Sequence, residues 1–479
     1  MQNSIKTNFL YSSFLTTANY IFPFLIFPYI TRVLGVSNIG ICDYVDSIVN
    51  YFILFSMLGI NTVGIRAIAE AKNDKIELNK TFSSLIILNS ITTAIGVVLL
   101  VTCTIIIDKL QAYQGYLFIG VFKLLSTYLL TEWFYKGMED FKYITIRTLL
   151  VKCIYVVCVF LFVREVDDVL VYYVLTMLMI AVNAILNIVH TRKFVSITFH
   201  QLSFNKYIKP LFIFGFYLII TSMYTTFNIT YLGWQANTEE VGYYTTATKL
   251  YAIIISIFTA FTGVMLPRMT NLLAEGKSIE FTKYVSKSQG LLIDFSIPVI
   301  LFTWIFAPQI IGIIAGEGYE GAIIPMRIIV PLIFIIGYEQ ILVVQTLNPL
   351  KKDTVTLCNS ILGASVGILL NILLVPKLMS IGSAVAWISS ETSVLIIAQY
   401  FVSKFTGMKF PLVKFLKMLL YYLPLVAILT IGYIYIANMP LLGVLCMGGI
   451  MSLYTILLQI HLKNELVVLL LNKFVRKNG

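Results

Sequence analysis

Apolar residues do not alternate with polar ones along this chain; they gather into long runs separated by short polar turns. A helix needs about 20 apolar residues to cross a hydrocarbon core of about 30 Å, whereas a membrane β-strand needs about ten in strict alternation. Fourteen runs fit the helical requirement, at roughly 10–30, 41–63, 83–107, 115–134, 143–163, 169–190, 210–232, 243–266, 287–307, 323–346, 354–375, 381–402, 415–437 and 441–461. The pattern predicts an all-α integral membrane protein with about 14 transmembrane helices. Pro23 and Pro28 in the first run and Pro298 in the ninth are expected to kink their helices.

Two segments repeat each other. LGVSNIGICDYVDSIVNYFILFSMLGINTVGIRAIAE, starting at 34, compares with ANTEEVGYYTTATKLYAIIISIFTAFTGVMLPRMTNLLAE, starting at 236. Gly40 aligns with Gly242 and Arg66 with Arg268, both at an offset of 202 residues. The repeat divides the chain into an N-lobe of six spans (1–200), a C-lobe of six spans (201–405) and an appended pair with a tail (406–479). Lobes with an even number of spans share one orientation, so they are expected to be related by a pseudo-two-fold axis along the membrane normal.

Composition agrees with the runs, since 59% of the residues are hydrophobic and 12% charged, against about half and about a quarter in soluble domains. The net charge of +11 raises the question of nucleic acid, and the distribution of basic residues answers it. With the N-terminus placed inside, twenty-five of the 34 Lys and Arg residues fall in the inner segments, and only Arg32, Lys109, Arg164 and Lys377 in the outer ones. That bias is the positive-inside rule at work, so both termini are expected in the cytoplasm and no nucleic-acid partner is implied. The six cysteines lie in apolar runs without C-x-x-C spacing, and the three histidines are scattered at span ends. No metal site or disulfide framework is expected from them. The first fourteen residues, MQNSIKTNFLYSSF, lack a short apolar core with a small-residue cleavage site, so the first span is read as retained.

Charges inside spans carry the functional signal, because a charge at the centre of a lone membrane helix costs roughly 2.5–3.5 kcal/mol and faces a wet cavity or a partner. The basic ones are Lys123, Arg147, Lys152, Lys249 and Arg327; the acidic ones are Asp43, Asp46, Glu132, Asp294, Glu339 and Glu391. Arg147 and Glu132 lie near the cytoplasmic end, where snorkelling to the headgroups is the simpler reading. Lys152, Lys249, Asp294, Glu339 and Glu391 lie deeper and are candidates to face a hydrated lumen. Asp43 and Asp46, spaced i, i+3, share one helix face; they suit a cation, a proton or a basic side chain of the opposite lobe. Thr221, Ser222, Tyr224, Thr225, Thr226 and Asn228, with Thr245, Thr246 and Thr248, make the seventh and eighth spans unusually polar around Lys249.

The stretches PYITRVLGVSNIG, EWFYKGMEDFKYITIRTLLVK, AGEGYEGAIIPMRI and NILLVPKLMSIGSAVAWISSE resemble the polysaccharide transporters of the multidrug/oligosaccharidyl-lipid/polysaccharide superfamily. Flippases for undecaprenyl-pyrophosphate-linked O-antigen or capsule repeat units look nearest. The resemblance covers roughly residues 5 to 410, with degenerate motifs; Ile41 and Cys42 stand after Gly40 where that family often has an aromatic. It implies two six-helix bundles around a basic cavity that opens alternately to either side of the bacterial cytoplasmic membrane. Carried onto this chain, the substrate contacts would be Lys249 first, then Arg327, Lys152 and Lys123, with Arg32 at the outer end of span one. Asp43, Asp46, Glu339, Glu391 and Asp294 would serve a coupling ion (proton or sodium) or a gate. The implied partners are the lipid-linked oligosaccharide, membrane lipids, a polysaccharide polymerase and a chain-length regulator; no cofactor is implied. The physics agrees: moving even one ion from water to hydrocarbon costs of order 20 kcal/mol, and lysine and arginine in a wet groove replace water around phosphate. Tyr224, Tyr243, Tyr244 and Tyr251 are candidates for stacking on sugars.

Three other readings compete. A multidrug or cation antiporter of the same superfamily would want an acid-dominated cavity, and a lipid-linked peptidoglycan precursor flippase would share the span count. A membrane polymerase or glycosyltransferase would want a substantial outer loop, whereas the longest here, near 308–322, is short. No G-x-x-x-x-G-K-[ST] loop is present, which argues against ATP as a direct driver.

Overall fold

A computed structural model describes residues 5–200, 202–222, 226–436 and 439–463. Tyr224 and Thr225, and the basic tail residues Lys473, Arg476 and Lys477, lie outside the described residues. Among the described residues nineteen α-helices follow one another. They are α1 (Ile5–Met57), α2 (Ile60–Ala71), α3 (Lys75–Ile106), α4 (Asp108–Gln111), α5 (Gln114–Leu129), α6 (Glu132–Gly137), α7 (Phe141–Phe162), α8 (Val169–Thr191), α9 (Phe204–Ser222) and α10 (Thr226–Gln235). Then come α11 (Thr238–Ala274), α12 (Ser278–Ile305), α13 (Ala307–Ile314), α14 (Ile323–Ile329), α15 (Leu332–Leu342), α16 (Asp353–Thr406), α17 (Leu412–Tyr421), α18 (Leu423–Ile436) and α19 (Pro440–His461). A π-helical turn, Val343–Leu347, extends α15.

Among the described residues eleven helices are long and apolar enough to cross a membrane, or twelve when α9 and α10, bent by 55° at their junction, are taken as one. The expected first and second runs lie within α1, and the eleventh and twelfth within α16, each pair being two helices joined across a kink. α1 continues through Gly35 and α16 through Met379, each a single residue of non-helical dihedrals. Gly35 adopts φ +75°, open to a residue without Cβ, so this glycine carries the break. Pro23, Pro28 and Pro298 sit inside helices whose dihedrals stay helical around them. The residue of non-helical dihedrals in α1 is Gly35 rather than either proline.

Contacts divide the chain into two compact units, residues 1–245 with 371–379, and residues 246–370 with 380–479. The expected lobe boundary at residues 200 and 201 lies within the first unit, because α9 and α10 pack on α1, α2 and α3. In the first unit the EWFYK stretch supplies the core: Trp133, Phe134 and Tyr135 are all fully buried, with Phe82, Ile68 and Ile144 around them. Gly64 makes room, since a Cβ there would lie 2.6 Å from the Trp133 ring. Tyr135 Oη donates to the Asn187 carbonyl at 2.6 Å, which satisfies a buried hydroxyl that would otherwise cost about 1–3 kcal/mol. In the second unit Ile293 and Phe306 pack with Met418, Tyr422, Leu425, Leu429 and Met447, seating the appended helices α17–α19 on α12. Outward faces stay apolar in both units, with Phe122, Leu150, Ile154, Ile185, Leu369 and Ile434 exposed. Such a surface belongs in lipid, where association rests on packing and hydrogen bonds more than on exclusion of water.

The two repeats meet within the first unit. A Cβ on Gly40 would lie 1.7 Å from the Thr238 carbonyl oxygen, and one on Gly242 would lie 2.4 Å from the Val36 carbonyl oxygen. Positions 36 and 238, like 40 and 242, are 202 residues apart, so the contact maps onto itself when the repeats are exchanged. A self-complementary contact of this kind is what a local two-fold axis produces. Ser37 and Thr238 hydroxyls add a 2.9 Å hydrogen bond beside it.

Candidate functional site

Helices of membrane-spanning length carry three charged groupings in the first unit. Lys123 on α5 donates to Asp46 on α1 at 2.7 Å, and Tyr173 on α8 donates to the same carboxylate oxygen at 2.8 Å. Arg147 on α7 reaches Glu132 on α6 at 3.1 Å, with the Asn183 carbonyl and the Thr148 hydroxyl as further acceptors. Its side chain is only 4% exposed, so it does not snorkel to the surface as expected; the half-buried Glu132 carboxylate holds it in place. Lys152, also on α7, is half-buried and donates to the amide oxygen of Asn19 at 2.6 Å, a neutral partner. Asp43 is half-buried one turn from Asp46, close to the hydrogen-bonded pair Tyr155 and Tyr172.

The basic residues singled out from the sequence therefore occupy different surroundings. Lys123 and Asp46, expected to serve substrate and coupling ion respectively, are each other's partners. Arg327 lies over the ring of the exposed Trp304, 5.0 Å from its centroid, and its Nε donates to the Trp304 carbonyl at 3.1 Å. An arginine on an exposed tryptophan has the character of an interfacial anchor. Arg32 is exposed and donates from Nη1 to the Pro28 carbonyl of its own helix at 2.6 Å. Lys249 is half-buried on α11, between two and three turns along from Glu239 and Glu240.

In the second unit Glu339 on α15 and Glu391 on α16 are brought together across 52 positions of sequence and share a side-chain hydrogen bond. Trp387 Nε1 donates to Glu391 Oε1 at 3.0 Å, and Tyr251 meets the Trp387 ring edge-on at 5.3 Å. A hydrogen bond between two carboxyls needs a proton on one of them, and a cation can take that proton's place. Asp294 is separate from this pair: it lies on α12, with Lys414 of α17 3.8 Å away.

Tyr244 and Tyr251 do not offer ring faces to a sugar. Tyr244 is 2% exposed and accepts from Asn228 Nδ2 at 3.0 Å; Tyr251 is 5% exposed beneath Trp387. Tyr243 remains half-buried. Asn371 escaped the sequence reading. It is fully buried and donates to Asn228 Oδ1 at 2.6 Å, so two amides and a tyrosine form one polar cluster in the first unit. An asparagine in the apolar run GILLNILLV was the available signal, since a lone amide in a membrane helix needs a partner.

The fold defines a class, that of multi-pass helical membrane proteins. The chain is similar over 95% of its length to the lipid II flippase MurJ in its inward closed conformation, with a TM-score of 0.74 at 15% identity and 99% of that chain covered. An inward-facing multidrug resistance MATE transporter of the MOP superfamily matches with a TM-score of 0.62 at 12% identity, over 81% of this chain and 98% of that one. The family follows from sequence: residues 5–273, more than half of the 479, match the polysaccharide biosynthesis protein family, and the chain belongs to it. It is 24% identical over 408 residues to a putative O-antigen transporter of Escherichia coli (strain K12), covering 83% of this chain and 97% of the relative. A putative O-antigen transporter of Shigella dysenteriae is 25% identical over 271 residues, 56% of this chain and 68% of the relative. The resemblance noted in the sequence motifs is thus borne out at the level of family and fold.

Proposed function

We propose that this protein is a flippase for lipid-linked polysaccharide units. It works by alternating access in the bacterial cytoplasmic membrane, with both termini in the cytoplasm, and its cargo is an undecaprenyl-pyrophosphate-linked oligosaccharide. Family membership supports the class; the feature of the structure that supports an anionic cargo is the pair of half-buried lysines, Lys152 and Lys249, on membrane-length helices. Lys152 is held by an amide rather than a carboxylate, so a phosphate can displace its partner without leaving a buried anion behind. Lys123, tied to the Asp46 carboxylate, is a weaker substrate contact for the converse reason. Each lysine, Lys152 in the first unit and Lys249 in the second, can substitute for water around a phosphate group while the polyprenyl tail stays in lipid.

The test is complementation of a strain lacking its own flippase. Lys152→Ala and Lys249→Ala are expected to abolish surface polysaccharide while the protein stays in the membrane at wild-type amount, and the arginine variants to keep part of the export. Normal surface polysaccharide in both alanine variants would remove both lysines from the substrate path.

We assign the coupling cation to Glu339 and Glu391, whose shared hydrogen bond already holds a proton's place. Glu391→Gln should leave export in proteoliposomes indifferent to an imposed proton or sodium gradient. Gradient-driven export equal to that of the unmodified protein would free the carboxyl pair from coupling.

A further inference from the structure

The second unit holds a basic hollow that the transport cycle above does not use. On α12, Lys283, Lys287, Gly290 and Asp294 recur at helical spacing and form one stripe. On α17, Lys414 and Lys417 are spaced i, i+3 and point to the same face. Where the two stripes approach, with Gln459 and Leu462 of the α19 end, they enclose a cavity of about 440 Å³. A second hollow of about 670 Å³ adjoins it, sharing Lys414, Met418 and Leu462 and reaching Phe410, Lys417 and Tyr421. Gly290 lets the Lys414 ammonium approach α12, because a Cβ there would lie 2.5 Å from it, and that ammonium sits 3.8 Å from Asp294.

Among the described lining residues, Lys283, Lys414 and Lys417 stand against the one carboxylate of Asp294, a formal excess of two positive charges before Lys287 is counted. The same short helix α17 carries Leu412, Val413, Leu416 and Leu420 on its exposed side, all between 49% and 67% exposed. A ligand matching both features has an anionic head and apolar chains. We infer that this hollow is a binding site for the phosphate headgroup of an anionic glycerophospholipid, whose acyl chains lie along the apolar side of α17. Basic pockets between membrane helices recognise such headgroups through charge-assisted hydrogen bonds. The site lies where α12 and α17 begin and α19 ends, which is the cytoplasmic side in the topology proposed above. Only the leaflet that supplies the lipid rests on that proposal; binding itself does not.

The test uses the full chain, delipidated in detergent and titrated with dioleoylphosphatidylglycerol, dioleoylphosphatidylcholine or undecaprenyl phosphate, with bound lipid counted by native mass spectrometry. Phosphatidylglycerol is expected to bind in preference to phosphatidylcholine. Lys283→Gln with Lys417→Gln leaves the Lys414–Asp294 pair intact and should weaken phosphatidylglycerol binding about fivefold per lysine, about 25-fold together. The double arginine variant should bind as the unmodified protein does. Equal binding of the two phospholipids, or phosphatidylglycerol affinity unchanged in the glutamine variant, overturns the assignment. So does a glutamine variant that loses undecaprenyl phosphate alone, which would give the hollow to the carrier lipid.

Discussion

Arg147→Ala is expected to lower the stability of the purified protein by about 3 kcal/mol. Breaking a buried ion pair from one side costs about 3–5 kcal/mol, because the remaining charge loses its compensation. The lower end applies because Glu132 is itself 26% exposed and retains Lys136, 3.5 Å from its other oxygen. The Asn183 carbonyl and Thr148 hydroxyl lose a donor at the same time, so the effect is not of the pair alone. Arg147→Met combined with Glu132→Gln removes both charges and should recover most of the loss, as replacing a buried pair by apolar or neutral groups of similar volume often does. Thermal unfolding in a single detergent, run on both single variants and the double, measures this as a coupling energy. A single Arg147→Ala variant within about 0.5 kcal/mol of the parent, the range of ordinary surface changes, would show that the pair does not organise α6, α7 and α8.

The second large effect is at the crossing of the repeats. A Cβ on Gly40 meets a carbonyl oxygen at 1.7 Å, its carbon at 2.6 Å and the Gly242 nitrogen at 3.0 Å. All three are backbone atoms, so no rotamer change relieves the clash and α1 must part from α11. Overpacking a tight core costs about 1–3 kcal/mol and more where backbone must shift, so Gly40→Ala is expected to cost at least about 3 kcal/mol and Gly40→Val to prevent accumulation in the membrane. Gly242→Ala should cost a similar amount, since the contact is the same from either repeat. Gly263 supplies the control: it lies on α11 with nothing within 4 Å of a built Cβ, and Gly263→Ala should stabilise by about 0.5–1 kcal/mol through helix propensity. Melting temperatures of the three alanine variants decide it, and a Gly40→Ala protein as stable as the parent would mean that the two helices do not cross where these glycines meet.

Depth along a helix was readable in the sequence, and direction around it was not. Run length and the bias of lysines and arginines to one side of the chain are one-dimensional quantities, set by bilayer thickness and by the cost of carrying charge across it. They were enough for fold class and the choice of residues that must have partners. The 202-residue offset was also legible, because a repeat is preserved in order; that Gly40 and Gly242 touch was not.

By itself, then, the sequence determined that the chain is a bundle of membrane helices of the polysaccharide transporter type, with a handful of charges too deep to be left alone. Tertiary structure alone decided who answers whom. It gave Lys123 to Asp46 and Tyr173, Arg147 to Glu132, Arg327 to Trp304 and Glu339 to Glu391. Helix propensity and hydrophobic runs fix where a residue stands along its own axis; partners depend on how helices rotate and cross, and in lipid those are set by small residues, hydrogen bonds and packing between elements distant in sequence. Lys152 and Lys249 emerge from that sorting as the cations to test against phosphate, and the lysines of α12 and α17 as a site that only the folded chain brings together.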